Sequence, residues 1–369
     1  MTGNPLQKLH ALGQSIWLDY IKRDLISSGK LKQLISADSL RGITSNPSIF
    51  EKAIAESTEY DQDIQAMKEA AKDISSIYEI LTQGDVRNAA DEFHELYQQT
   101  GGQDGYVSLE VNPHLAHDTQ GTIAEARRLW QALDRPNVLI KVPGTKAGLP
   151  AITQLISEGI NVNVTLLFGI PRYQAVAEAY LAGLEARAAR GESLKQIASV
   201  ASFFLSRIDV LLDPKLEKII AQGGEPATLA RNLPGQVAIA SAKVAYQYYQ
   251  QLIRSERFRK LAEKGAQAQR LLWASTSTKN PAYSDVKYVE ALIGPETVDT
   301  VPMETLDAYR DHGDPKLRLE QDVAQAHTVF ERLPKLGISI DNVTQQLEDE
   351  GVDKFIQSFD QLIATLQKK

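Results

Sequence analysis

The chain has 369 residues, 43% of them hydrophobic, which is enough to bury one large core or two ordinary ones. A net charge of -7 and an isoelectric point near 5.5 argue against a general nucleic-acid binder, because such proteins usually carry a basic face. The sequence contains no cysteine, which excludes disulfides, thiolate metal sites and a cysteine nucleophile.

Short apolar runs alternate with longer amphipathic segments, and this alternation predicts strands followed by helices. The predicted strands are residues 14–19, 40–45, 104–111, 137–142, 160–166, 196–204, 270–274 and 297–301. The predicted helices are residues 20–35, a long stretch after the second strand to about 100, 119–133, 149–158, 171–190, 235–265, 281–292 and C-terminal helices to 369. A polar loop around Gly223-Gly224 is expected after the sixth strand.

Eight strands alternating with helices are typical of one α/β fold, the (β/α)8 or TIM barrel, here with additional N- and C-terminal helices. A doubly wound open sheet is the alternative, although no GxGxxG motif follows a predicted strand. No low-complexity linker and no internal repeat divides the chain. We therefore expect residues 1–369 to form a single barrel domain whose terminal helices cover the barrel.

The sequence also predicts the binding partners and the cellular compartment of the protein. Its six histidines show no metal-ligand spacing, so no metal site is expected. Residues 1–15 lack the basic start and apolar stretch of a signal peptide, and no run approaches the roughly 18 apolar residues of a membrane span. We expect a cytoplasmic protein that binds neither membrane nor nucleic acid, and the oligomeric state is left open.

Lys141 lies in the run VLIKVPGT, residues 138–145, which predicts a short buried strand ended by a Pro-Gly break. A lysine at this position either reaches solvent or is desolvated, and desolvation favours the neutral amine. Because a neutral amine attacks carbonyl carbons to form Schiff bases, Lys141 is a candidate covalent nucleophile. A strand-end lysine that extends to solvent is the alternative explanation.

Other polar side chains follow the predicted strands at the end where a barrel places its active site. In chain order they are Asp19, Thr44, Ser45, Asn46, Glu110, Asn112, Lys141, Asn163, Thr165, Ser202, Arg207, Ser275, Ser277 and Lys279. Since branched apolar side chains usually fill a barrel interior, polar groups from seven strands at one end indicate a site there.

These residues also have purely structural explanations. Asn46 precedes Pro47, a pairing typical of a turn. Asp19 is placed to cap the helix that follows it. Arg207 and Asp209 are close enough in sequence to form a surface ion pair.

Five segments resemble motifs of the transaldolase family. They are GITSNPS (42–48), SLEV (108–111), IKVPGT (140–145), NVTLLF (163–168) and SFFLSR (202–207). Together with Asp19 they follow the family order over about residues 10–330, and VPMETL (301–306) resembles its longer bacterial subgroup. Each motif alone is weak, but five in order on the matching strands are specific.

The resemblance implies a cofactor-independent Schiff-base enzyme of the pentose phosphate pathway. Such an enzyme transfers a dihydroxyacetone unit from sedoheptulose 7-phosphate to glyceraldehyde 3-phosphate, giving erythrose 4-phosphate and fructose 6-phosphate. Lys141 is implied as the lysine that attacks C2 of the ketose phosphate, and Asp19 as the base at the C4 hydroxyl. Glu110 is implied as a second proton shuttle acting through a water that Thr165 holds. Two carboxylates in different surroundings can divide the acid and base work in this way.

The same resemblance implies the substrate contacts. The hydroxyl-binding residues are Asn46, Asn163 and Ser202, and the phosphate-binding residues are Arg207, Ser277 and Lys279. Arg207 offers a planar fork for bidentate contact. Lys279 stands where the family commonly has arginine, so the charge is kept and the bidentate geometry is lost.

Two other functions stay open. One is a class I aldolase similar to fructose-6-phosphate aldolase, which releases dihydroxyacetone to water. Relatives of that kind tend to carry glutamine in place of Glu110 and tyrosine in place of Phe204, whereas Phe204 offers no hydroxyl beside the substrate to help water enter. The other is a non-catalytic barrel that binds a sugar phosphate, for which loss of Lys141, Asp19 or Glu110 is expected.

Overall fold

The computed structural model describes residues 4–369 and contains eight parallel strands closed into a barrel. The strands are β1 (Gln14–Asp19), β2 (Gly42–Thr44), β3 (Tyr106–Glu110), β4 (Val138–Pro143), β5 (Val162–Leu167), β6 (Ser199–Phe204), β7 (Arg270–Ala274) and β8 (Thr297–Val301). Because β1 pairs with β8 as well as with β2, the predicted (β/α)8 barrel is confirmed and the open sheet is wrong.

Helices lie between the strands and at both ends of the chain. They are α1 (Pro5–Ala11), α2 (Arg23–Ser27), α3 (Lys30–Ala37), α4 (Pro47–Ala55), α5 (Asp61–Glu69), α6 (Ile74–Gln99), α7 (Thr119–Leu133), α8 (Gly148–Glu158), α9 (Ile170–Ala189), α10 (Ser206–Gln222), α11 (Gly224–Ala230), α12 (Val237–Arg254), α13 (Glu256–Ala262), α14 (Lys287–Ala291), α15 (Met303–His312), α16 (Val323–Arg332) and α17 (Ile340–Lys368). Short 3-10 helices occupy Pro113–Leu115 and Pro334–Leu336. Within the described residues, no helix is both long and apolar enough to cross a membrane.

Two predicted helices are each divided in two. The helix expected at 20–35 is α2 followed by α3, because Gly29 between them adopts a left-handed backbone with φ 78°. The helix expected at 235–265 is α12 followed by α13. Ser255 separates this second pair, since its extended backbone ends α12 and its hydroxyl accepts the Phe258 N–H to begin α13.

The segment after β6 differs most from expectation. Where a polar loop was predicted, α10 and α11 form, and α10 contains Pro214. Burial of Ile208, Leu212 and Leu216 along one face stabilises α10 despite the missing proline N–H. Conversely, the helix expected at 281–292 is mostly turn, and only α14 is helical there.

The strand register sets the level of the candidate catalytic side chains. Glu110 of β3 pairs with Lys141 of β4, which in turn pairs with Asn163 of β5. Paired residues on neighbouring strands of a barrel face the same side. Three polar side chains from consecutive strands are therefore brought to one level.

Buried polar contacts link the strands at the opposite, N-terminal end of the barrel. Arg270 at the start of β7 donates 3.0 Å hydrogen bonds to Ser15 Oγ and to Asp104 Oδ1. The Ser15 hydroxyl also donates to Asp104 Oδ2 at 3.0 Å. This network ties β1 and β7 to the segment just before β3, away from the candidate site.

The C-terminal helix α17 lies across the other end. It packs against α4, α6 and α10, and it also contacts β5. Because α4 and α10 begin where β2 and β6 end, α17 spans the mouth at the C-terminal ends of the strands.

Candidate active site

A cavity of about 650 Å³ opens at the C-terminal ends of the strands, where barrel enzymes carry their active sites. Eight of the eleven site residues expected from sequence line it: Asp19, Asn46, Lys141, Ser202, Phe204, Arg207, Ser277 and Lys279. Glu110, Asn163 and Thr165 are buried beside this cavity and do not line it.

Lys141 is 4% exposed and does not extend to solvent. Its Nζ donates a 3.1 Å hydrogen bond to the Ser45 carbonyl and lies 3.7 Å from Glu110 Oε2. The ring of Phe355, from α17, has its centroid 5.7 Å from the same nitrogen. The amine is thus enclosed on several sides yet still reaches the cavity wall.

Glu110 is buried without hydrogen-bond donors. Neither of its carboxylate oxygens has a partner among residues 4–369, and the buried Thr165 hydroxyl also has none. Burial raises the pKa of Glu110 from 4.5 to about 7, although the positive charge of Lys141 acts in the opposite direction. A carboxyl group that titrates near neutrality is suited both to give and to take a proton.

Asp19 ends β1 and is oriented by a short chain of hydroxyl groups. Thr44 Oγ1 donates to Asp19 Oδ1 at 2.7 Å and lies 2.7 Å from Thr300 Oγ1. Because the Thr44 hydroxyl has one proton and gives it to Asp19, Thr300 is the donor in the second bond. Burial raises the pKa of Asp19 above its ordinary value, against the effect of Lys141, which makes the carboxylate a stronger base. Asp19 does not cap α2, whose capping residue is Lys22.

The two asparagines differ in their access to the cavity. Asn46 lines the cavity and also caps α4, because its Oδ1 accepts the Ile49 N–H at 3.1 Å. Asn163 is fully buried, donates to Ser108 Oγ at 3.0 Å and accepts from the Ser202 hydroxyl at 2.7 Å. Of this hydrogen-bonded trio, Ser202 alone lines the cavity.

Arg207, on α10, places a positive charge in the cavity. Its guanidinium carbon lies 5.7 Å from the ring centroid of Phe204 and, among the described residues, the side chain makes no hydrogen bond or ion pair. The alternative explanation of Arg207, an ion pair with Asp209, is wrong, because Asp209 accepts instead from the Ala238 N–H and the Tyr288 hydroxyl. The guanidinium is therefore free to bind an anion.

Ser277 and Lys279 lie together on the loop after β7. Lys279 Nζ donates to Ser277 Oγ at 2.7 Å, and both residues line the cavity. Ser275, which precedes them, has a left-handed backbone with φ 55° and its hydroxyl lies 3.0 Å from that of Ser206 on α10. This contact holds the start of the loop beside the helix that carries Arg207.

Sequence reasoning missed one side of the cavity. On this side the lining residues are Thr300, Pro302 and Glu304, near the end of β8, and Leu347, Glu350, Lys354 and Phe355 on α17. Elsewhere the lining also includes Ser206, Val210 and Leu211 of α10, and Ala274 and Thr276 near the end of β7. Thr300 was detectable as a polar residue at a strand end. The α17 residues carry no comparable signal, because a helix far away in sequence brings them to the site.

The charged groups of the cavity suit amine and anion chemistry. Its cationic residues are Lys141, Arg207, Lys279 and Lys354, and its acidic residues are Asp19, Glu304 and Glu350. Within the part of the chain that the structure describes, no cluster of histidine, aspartate and glutamate has the arrangement of a metal site. A buried lysine with one carboxylate 3.7 Å away and a second on the same cavity wall suits an imine whose formation and breakdown require proton transfer.

Comparison with known proteins supports this chemistry. Residues 16–366 match the family model described as transaldolase/fructose-6-phosphate aldolase. A protein named transaldolase from Trichodesmium erythraeum is 53% identical, with 100% of this chain and 98% of the relative covered. Transaldolase 2 from Nostoc sp. is 51% identical and a transaldolase from Saccharopolyspora erythraea is 46% identical, each with 100% of this chain and 98% of the relative covered.

Proposed function

The chain belongs to the transaldolase/fructose-6-phosphate aldolase family, and from this membership we propose that it transfers dihydroxyacetone from sedoheptulose 7-phosphate to glyceraldehyde 3-phosphate. The products are erythrose 4-phosphate and fructose 6-phosphate. The observation that carries the proposal is the buried Lys141 amine, 3.7 Å from Glu110, on the wall of a cavity that also contains Asp19 and Arg207. The relatives named transaldolase favour transfer over release of the three-carbon unit.

The first half of the reaction forms an imine. The neutral Lys141 amine adds to the C2 carbonyl of the ketose phosphate and gives a carbinolamine. Glu110 protonates the departing hydroxyl, which leaves as water, and the Thr165 hydroxyl holds a water that relays this proton. A pKa of about 7 lets Glu110 take the proton back when the imine is later hydrolysed.

Carbon–carbon cleavage follows at Asp19. The Asp19 carboxylate takes the proton of the C4 hydroxyl, and the C3–C4 bond breaks. The electron pair of that bond moves into the iminium as erythrose 4-phosphate leaves. The resulting enamine on Lys141 then attacks the aldehyde carbon of glyceraldehyde 3-phosphate, and Asp19 returns its proton to the new C4 oxygen. Water releases fructose 6-phosphate and restores the amine.

The remaining predicted residues position the substrate. Asn46 and Ser202 bind the hydroxyl groups of the three-carbon unit, and Phe204 keeps the enamine side of the cavity apolar. Asn163 belongs to the same set, because its bonds to Ser108 and Ser202 leave one amide N–H and one oxygen lone pair unused. The phosphate-binding residues are Arg207, Ser277 and Lys279.

The proposal includes the protein's surroundings. We infer a cytoplasmic enzyme whose partners are sugar phosphates and which binds no nucleic acid, in keeping with its net charge of -7.

A coupled assay tests the reaction. Sedoheptulose 7-phosphate is supplied with and without glyceraldehyde 3-phosphate, and erythrose 4-phosphate is measured. We expect steady product only when the acceptor is present. Steady product without acceptor would mean an aldolase that releases dihydroxyacetone, and no product in either case would exclude both reactions.

Borohydride reduction in the presence of fructose 6-phosphate tests the covalent step, with Lys141→Ala as the matched control. Mass spectrometry should locate the adduct on Lys141 and find none in Lys141→Ala. Asp19→Ala should still be trapped but should not cleave the C3–C4 bond. Loss of trapping in a folded Asp19→Ala variant would contradict the role given to Asp19.

A further inference from the structure

We propose that Lys354 of α17 is a phosphate-binding residue that acts together with Arg207. The inference rests on the proposed function, because both substrates of that reaction carry a phosphate group. It extends the phosphate site from the barrel loops to the C-terminal helix.

The packing of α17 places Lys354 near Arg207. A Cβ atom added at Gly351 would lie 3.0 Å from Leu166 Cδ2 and 3.8 Å from Arg207 Nη1. The guanidinium therefore lies against this turn of α17, where glycine leaves the necessary space. Lys354 follows Gly351 by three residues, so the two share one face of the helix.

Both side chains line the cavity and both are available to a ligand. Within residues 4–369, neither Arg207 nor Lys354 makes a hydrogen bond or an ion pair. Lys279 differs, because its amine already donates to Ser277. A phosphate group carries nearly two negative charges at neutral pH, so two free cations in one cavity match it better than one.

Glu350 opposes this site and so makes the proposal testable in both directions. Its carboxylate lines the same cavity, one helical turn before Lys354, and among the described residues it accepts a hydrogen bond from Gln346 alone, at 2.7 Å. A carboxylate beside a phosphate repels it. Removing the charge of Glu350 should therefore strengthen phosphate binding, whereas removing that of Lys354 should weaken it.

The experiment compares charge variants of the full chain. Calorimetry measures binding of inorganic phosphate, and kinetics measure KM for fructose 6-phosphate with erythrose 4-phosphate as acceptor. We expect Lys354→Gln to weaken phosphate binding and to raise KM, each by about tenfold, as the loss of one charge-assisted contact predicts. Lys354→Arg should keep phosphate affinity and KM close to the wild-type values. Glu350→Gln should strengthen phosphate binding and lower KM.

Lys368→Gln is the matched control, because Lys368 is an exposed lysine of the same helix that does not line the cavity. Trapping of unphosphorylated dihydroxyacetone by borohydride should be equal in all of these variants. If Lys354→Gln and Lys368→Gln give the same phosphate affinity and the same KM, the proposal is wrong.

The outcomes separate this inference from the proposed function. If the protein shows no transfer activity but its phosphate binding depends on Lys354, the anion site is supported and the proposed reaction is excluded. Transfer activity with an unchanged KM in Lys354→Gln would keep the reaction and exclude Lys354 from the site.

Discussion

Glu110 and Lys141 form a buried pair of ionisable side chains. Their nearest charged atoms are 3.7 Å apart, and no donor among residues 4–369 reaches either oxygen of Glu110. Since the pKa of Glu110 rises from 4.5 to about 7 on folding, the folded chain holds this proton more tightly than the unfolded chain. The resulting stabilisation is complete below about pH 4.5 and is lost as the pH rises through about 7.

Glu110→Gln should remove this pH dependence, because glutamine does not titrate. The variant should gain stability relative to wild type between pH 5 and pH 8, by about 3 kcal/mol from the size of the pKa shift. Urea unfolding at several pH values measures the difference. Glu304→Gln, at an exposed position on the cavity rim, should show a much smaller change. A constant gap between Glu110→Gln and wild type across this pH range would contradict the buried, protonatable state.

Single residues at strand ends were predictable, but their hydrogen bonds were not. Lys141, Asp19 and Glu110 follow apolar runs, and the strand order alone gathers them at one end of the barrel. Asn163 follows the same pattern, yet its side chain is turned to Ser108 and Ser202. Side-chain direction and the choice among competing partners depend on three-dimensional packing, which the sequence does not state.

Among the secondary-structure elements, helix α10 is held against its neighbours by two carboxylates one turn apart. Asp209 accepts hydrogen bonds from the Ala238 N–H and from the Tyr288 hydroxyl, the latter at 2.8 Å. Asp213 does the same for the Gly235 N–H and the Tyr283 hydroxyl. These bonds join α10 to the start of α12 and to the segment that follows the Ser277 loop. The positions of Arg207 and of that loop are therefore coupled.

Tyr288→Phe should weaken this coupling, because it leaves one oxygen of the buried Asp209 carboxylate without its donor. We expect a loss of about 1–3 kcal/mol in the free energy of unfolding. KM for fructose 6-phosphate should also rise as the loop loosens.

Tyr309→Phe is the control, because the buried Tyr309 hydroxyl has no partner among the described residues. This variant should be as stable as wild type. Equal stability of the two variants in urea unfolding would mean that the Asp209 contact does not fix α10.

The elements themselves show which sequence patterns are informative. Strands with continuous apolar runs, such as β4 and β5, were placed within two residues of their observed ends. Helix α10 was missed, because its apolar spacing competes with an internal proline and a neighbouring Gly-Gly pair. The role of α17 was not predictable, because an ordinary amphipathic helix gives no sign of which cavity it will cover.

At the scale of the whole molecule, the two ends of the barrel have different tasks. The Arg270 network closes the N-terminal end, and the candidate site occupies the C-terminal end. The alternation of strands and helices was sufficient to predict the barrel, because few topologies accommodate eight such units. We propose that residues 1–369 unfold as one domain, since β8 closes on β1 and α17 packs against α4 and α6.

Arg270→Met tests whether the two ends of the barrel act separately and whether the chain unfolds as one domain. The loss of its hydrogen bonds leaves Asp104, which is 4% exposed, with fewer donors, so we expect a cost of about 1–3 kcal/mol in stability. KM and kcat should stay at wild-type values, because the change is made at the end remote from the cavity. Scanning calorimetry should give one transition in both proteins, shifted to lower temperature in the variant. Two transitions would contradict a single domain, and a raised KM would contradict the separation of the two ends.

The position of α17 has a consequence for biosynthesis. Lys354 and Phe355 leave the ribosome after every strand of the barrel, so the eight strands can pair before the helix that covers the mouth is available. We expect a nascent or truncated chain without α17 to retain Lys141 within an open mouth and to lack both the Phe355 ring and the Lys354 charge. The order of synthesis would then delay a competent site until α17 has also been made.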